Sequence, residues 1–70
     1  MSKLRPMRAR EVIAILQRNG FVEDHHVGSH KTFLHVDGRR ATVPVHPGDI
    51  RPGTLRTIFR QAKIDPHADQ

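Results

Sequence analysis

The sequence predicts an α+β domain: a three-stranded antiparallel sheet with two helices on one face, in the order α-β-β-β-α. Three observations carry this. Two stretches near the ends place apolar residues at helical spacing. Short segments between them hold Phe33, Leu34 and Val36, then Ala41, Val43 and Val45. Asp37-Gly38 joins the last two segments and is a strong hairpin signal. At seventy residues the chain is one domain at most, 1–70, with residues 1–7 and 66–70 read as tails.

Each element follows from local chemistry. In residues 8–19, Ala9, Val12, Ile13 and Leu16 fall at i, i+3, i+4 and i+7. Arg8, Arg10, Glu11, Gln17 and Arg18 lie off that stripe. Asn19-Gly20 is a helix stop, because glycine accepts the left-handed conformation that ends many helices. Phe21 follows and can fold back on the last turn. Residues 21–27 read as a first strand with a polar middle, 29–36 as a second and 39–45 as a third. Pro44 marks an edge or a strand end, since it cannot donate to a ladder. Pro47-Gly48-Asp49 and Pro52-Gly53 punctuate a loop. Thr54 is placed to cap a second helix over 54–63. There Leu55, Ile58, Phe59 and Ala62 form the apolar stripe, and Arg56, Arg60 and Lys63 a separate basic one. Asp65-Pro66 ends it.

A sheet covered on one face by two helices leaves its other face to solvent or to a ligand. Which side chains occupy that face depends on the hairpin. A two-residue turn at Asp37-Gly38 pairs Val36 with Arg39 and His30 with Val45, turning His30 toward Ala41 and Val43. A three-residue loop with Gly38 in a bulge pairs His35 with Arg39 and Phe33 with Ala41. His30 then lies opposite Pro44 on the open face. A one-residue slip flips every side chain. The first register buries Leu34 and Thr32; the second buries Phe33, the larger apolar group, and is favoured for that reason.

Composition narrows the function. Twelve basic residues stand against seven acidic, and nine of the twelve are Arg. Guanidinium groups match phosphate with paired hydrogen bonds, which suits nucleic acid. There is no cysteine, which excludes a disulfide-stapled secreted scaffold and fits a reducing cytosol. No apolar run approaches the ~20 residues that span a bilayer. The expectation is a cytoplasmic protein with no membrane association. With no Trp, no Tyr and only Phe21, Phe33 and Phe59, base-stacking on aromatic platforms is disfavoured.

The chemistry concentrates at Val27-Gly28-Ser29-His30-Lys31. Histidine titrates near neutral pH, so His30 can take a proton from a ribose 2′-hydroxyl. Cutting RNA by internal attack of that hydroxyl also needs an acid and cations around the phosphate. Ser29, Lys31, Arg40 and His46 are candidates for these roles, and Arg56, Arg60 and Lys63 for contact with the RNA backbone. Six histidines could suggest a metal. Yet no helical H-x-x-x-H pair or cysteine partner accompanies His25, His26, His35 or His46, so no metal or other cofactor is expected. His67 lies in a tail. A DNA-reading helix is disfavoured because three strands separate the two helices, whereas helix-turn-helix readers join theirs by a tight turn.

The order of these pieces resembles the HicA-type (YcfA-like) mRNA interferase toxins of bacterial type II toxin–antitoxin systems. The matching segments are the helix ending in Asn19-Gly20-Phe21, then Gly28-Ser29-His30, then His35-Val36-Asp37-Gly38-Arg39, then Val43-Pro44-Val45-His46-Pro47-Gly48. Last comes Pro52-Gly53-Thr54-Leu55-Arg56-Thr57-Ile58-Phe59-Arg60-Gln61-Ala62. The resemblance implies a fold similar to double-stranded RNA-binding domains and metal-independent cleavage of mRNA. It implies that the histidine of Gly-Ser-His, here His30, is catalytic. It implies a HicB-type antitoxin that covers this histidine, with operator DNA reached only through the antitoxin complex. Two positions depart from the pattern: Val36 stands where many members have Pro, and Lys63 where many have Gly. The rival reading from another class is a non-catalytic RNA-binding module of the same fold.

Overall fold

The computed structural model describes residues 4–67. Seven elements follow one another: β1 (Met7–Arg8), α1 (Ala9–Arg18), β2 (Val22–Val27), β3 (His30–Leu34), β4 (Arg40–Pro44), β5 (Asp49–Ile50) and α2 (Pro52–Ala62). Strands β2, β3 and β4 form an antiparallel sheet in that order, and β1 pairs with β5 in a separate two-stranded ribbon. The predicted α-β-β-β-α order is therefore present, with the small ribbon added to it.

Both helices pack on one face of the sheet, around Phe33, Ala41 and Val43. From α1 come Val12, Ile15 and Leu16; from α2 come Leu55, Ile58, Phe59 and Ala62. The helical spacing of these residues is what lets each helix bury a continuous stripe. Helix α1 ends as its sequence foretells. Gly20 has φ 88. Its N–H donates to the Gln17 carbonyl at 3.1 Å, and the Phe21 N–H to the Leu16 carbonyl at 3.0 Å. This is the paired bonding of a Schellman motif, and it swings Phe21 into the core.

The hairpin takes the three-residue loop. His30 pairs with Pro44, Lys31 with Val43 and Phe33 with Ala41. The His35 N–H donates to the Arg39 carbonyl at 2.9 Å, and Gly38 has φ 98. Burial decides this register. Phe33 is fully buried, while Leu34, turned to the other face, is still half-buried. Hiding a large apolar side chain is worth about 1.5–3 kcal/mol, so Phe33 inside gains more than Leu34 outside loses. Pro44 is the last residue of the edge strand β4, where its missing N–H costs no ladder bond.

Three expectations are corrected. Helix α2 starts at Pro52, with Arg51 as its N-cap, so Thr54 lies inside the first turn and does not cap it. Proline is at home at a first helical position, where its fixed φ suits the helix and its absent N–H would be unpaired anyway. The tails are also shorter than expected. Met7 is buried in β1, Leu4 packs against the core and Pro66 is buried. Residues 1–3 and 68–70 lie outside the described residues. Finally, the loop after β4 is not wholly irregular, because β5 pairs Met7 with Ile50 and Arg8 with Asp49.

Candidate active site

The Gly-Ser-His motif is the turn of a second hairpin. Val27 pairs with His30, so Gly28 and Ser29 are a two-residue loop between β2 and β3. Gly28 has φ 59 and Ser29 has a negative φ. Positive φ at the first central position alone is the pattern of a type II′ turn, which takes glycine there. The glycine therefore fixes where the returning strand begins, and His30 is its first residue. Alternation then sends His30 to the open face of the sheet, where it is exposed.

The far end of β4 brings in the second histidine. The Val45 N–H donates to the Ser29 carbonyl, which carries the pairing of the two strands one step beyond Pro44. His46 follows, and its ring stands 6.1 Å from that of His30, centroid to centroid, at an interplanar angle of 86°. Among the described residues, neither imidazole makes a hydrogen bond or an ion pair. Both line a depression of about 360 Å³ at the end of the sheet. Its other walls are Pro44, Gly48, Asp49, Ile50, Arg51 and Thr54.

The ribbon of β1 and β5 holds this wall in place. Asp49 and Ile50 are tied to Arg8 and Met7 by strand pairing, and the Arg8 guanidinium lies 3.7 Å from the Asp49 carboxylate. The carboxylate of the cavity is thus engaged by Arg8. His30, His46 and Arg51 give the cavity its basic side. Helix α2 begins at this wall, with its N-cap Arg51 and its first-turn Thr54 in the lining.

The other predicted residues are scattered. Lys31 falls on the helix face of the sheet, opposite Val43, with its ammonium 3.5 Å from Glu23. It does not share the face of His30, its immediate neighbour. Arg40 is exposed at the opposite end of β4, across from Leu34. Four steps along the strand separate it from Pro44, roughly 13 Å. Ser29 serves through its backbone carbonyl. Arg56, Arg60 and Lys63 are exposed on or just after α2, clear of the cavity lining. Among the described residues, no three His, Cys, Asp or Glu side chains converge as a metal-ligand set. No described helix is long and apolar enough to cross a membrane.

Asp49, Arg51 and Thr54 were absent from the candidates drawn from the sequence. Reading Pro52 as the first helical residue would have put Arg51 at the helix start, next to a loop that leads back to His46. Asp49 carried no comparable signal.

No curated protein matches the chain in sequence. A family model does: that of the HicA toxin of bacterial toxin–antitoxin systems matches residues 9–64, a span that includes His30, His46 and the whole of α2. The match covers most of the chain, and the chain belongs to the HicA toxin family.

Proposed function

We propose that this toxin is a metal-independent endoribonuclease that cleaves mRNA, with His30 as its catalytic base. One observation carries the reading. The exposed imidazole of His30 lines a depression that also holds Arg51, 6.1 Å from a second imidazole and free of hydrogen bonds among the described residues. A general base must reach its proton donor, and an unengaged ring on an open face can do so. His30 takes the proton of a ribose 2′-hydroxyl. The 2′-oxygen attacks phosphorus, and the products are a 2′,3′-cyclic phosphate and a 5′-hydroxyl. Arg51 faces the charge that builds on the phosphoryl oxygens. The exposed Arg56, Arg60 and Lys63 supply sequence-independent attraction to the RNA backbone. The partner is a HicB-type antitoxin that covers His30 in the cytoplasm.

Purified toxin incubated with RNA in EDTA tests the reaction. Cleavage is expected to persist under chelation, to leave cyclic phosphate ends, and to stop at a position where the 2′-hydroxyl is replaced by hydrogen. Cleavage of the 2′-deoxy substrate, or loss of cleavage on chelation, contradicts the reading. Tight RNA binding with no cleavage selects the non-catalytic module.

A further inference from the structure

Cleavage by internal attack needs a second proton transfer, because the departing 5′-oxygen is a poor leaving group until it is protonated. The sequence offers Lys31, Arg40 and His46 for this step. Lys31 is on the wrong face of the sheet and paired with Glu23. Arg40 lies at the far end of β4, and a guanidinium does not surrender its proton in proteins. The cavity's carboxylate, Asp49, is turned to Arg8, whose guanidinium lies 3.7 Å away. Of the three, His46 alone stands beside His30 among the described residues.

The geometry points to His46 as the general acid that protonates the 5′-oxygen. This rests on the ribonuclease reading and deepens it, turning a single-histidine site into a divided pair. Neutral His30 receives the 2′-hydroxyl proton as the bond from 2′-oxygen to phosphorus forms. Protonated His46 delivers its proton as the bond from phosphorus to 5′-oxygen breaks. Afterwards His30 carries the proton and His46 lacks one, and exchange with solvent resets both, since both rings are exposed. The two rings come from the ends of different strands and stand edge to face on one lining of the depression. A phosphate seated against them is within reach of both. The backbone bond from Val45 to Ser29 sets their spacing: it joins the residue before His46 to the residue before His30.

A substrate whose leaving group needs no acid separates a proton donor from a phosphate ligand. At the position the wild type cuts, the bridging 5′-oxygen of an RNA oligonucleotide is replaced by sulfur, which leaves readily as a thiolate. His46→Ala removes an exposed side chain and leaves the core untouched. It is expected to slow cleavage of ordinary RNA by about 100-fold or more, the usual range for a lost general acid, while cleavage of the sulfur substrate falls less than about 10-fold. His30→Ala loses both reactions. Equal losses on both substrates in His46→Ala would make His46 a phosphate ligand and overturn the assignment. So would rescue of His30→Ala by sulfur, which would reverse the roles. If the wild type cuts neither substrate, the ribonuclease reading itself is wrong.

Discussion

At the scale of single residues, much of the fold is held by groups that also explain the motifs. Arg39 is the clearest case. Its Nε donates to both oxygens of Asp37, at 3.1 and 2.8 Å, and one Nη donates to the Ala62 carbonyl at 2.6 Å. Its guanidinium lies 5.2 Å from the Phe21 ring centre. One side chain thus ties the β3–β4 loop to the end of α2 and to the corner after α1. The His35 ring packs edge-on against Phe21 at 5.2 Å. A Cβ on Gly20 would meet its Nε2 at 2.9 Å. Gly20 is therefore required twice, by its positive φ and by this approach.

Asp37 gives this cluster a pH dependence. The Arg39 N–H, and then the Arg39 side chain, hold its carboxyl below the usual 3.8. The folded state thus binds the proton less readily than the unfolded chain. The resulting stability is complete above about pH 4 and lost as pH falls through the depressed value. Thermal melts of wild type and Asp37→Asn should therefore differ at pH 7, with the wild type more stable, and converge as pH falls toward 2. A gap that stays constant with pH would show that the carboxylate's charge plays no part.

At the scale of elements, the long ones were legible and the short ones were not. Both helices and all three sheet strands announce themselves by period, glycine stops and the Asp-Gly turn. The ribbon of β1 and β5 does not, because two residues cannot show alternation. Yet that ribbon anchors the wall of the cavity. The start of α2 was misplaced for a similar reason: Thr54 is a good cap by type, but Pro52 at the first position outweighs it. The end of α2 resolves one of the family departures. Lys63 takes the left-handed conformation at φ 56, ψ 44. Its N–H donates to the Arg60 carbonyl at 3.2 Å and the Ile64 N–H to the Phe59 carbonyl at 3.0 Å. The Schellman motif forms without glycine, at the steric cost of a Cβ in that region. Lys63→Gly is accordingly expected to stabilise the protein by about 1 kcal/mol. For a domain of this size, that raises the melting temperature by roughly 4–8 °C. An unchanged or lower melting temperature would show that the lysine's conformation carries no strain.

At the scale of the whole molecule, the site exists only because two hairpins and a helix end in the same place. The type II′ turn starts β3 at His30, the edge strand β4 stops at Pro44, and α2 begins at Arg51. The sequence showed His30 and His46 as candidates and favoured, without fixing, the hairpin register that sets their relation. The burial of Phe33 makes that choice, and the same choice sends Lys31 to the helix face. A lysine adjacent to the histidine in sequence is thereby removed from it in space, while His46, sixteen positions on, becomes its neighbour. The basic stripe of α2 is exposed, but the cation at the cavity is Arg51. A loop wall of this kind has no periodic signal to read.

The central claim is that His30 makes this toxin a ribonuclease. The most direct measurement is growth and RNA integrity after induction of the wild type beside His30→Ala, with circular dichroism of both purified proteins. His30 is exposed, so the variant should fold like the wild type. The account predicts growth arrest and cut mRNA with the wild type, and normal growth with intact mRNA for the variant. A folded His30→Ala that still arrests growth and still cuts mRNA would contradict it.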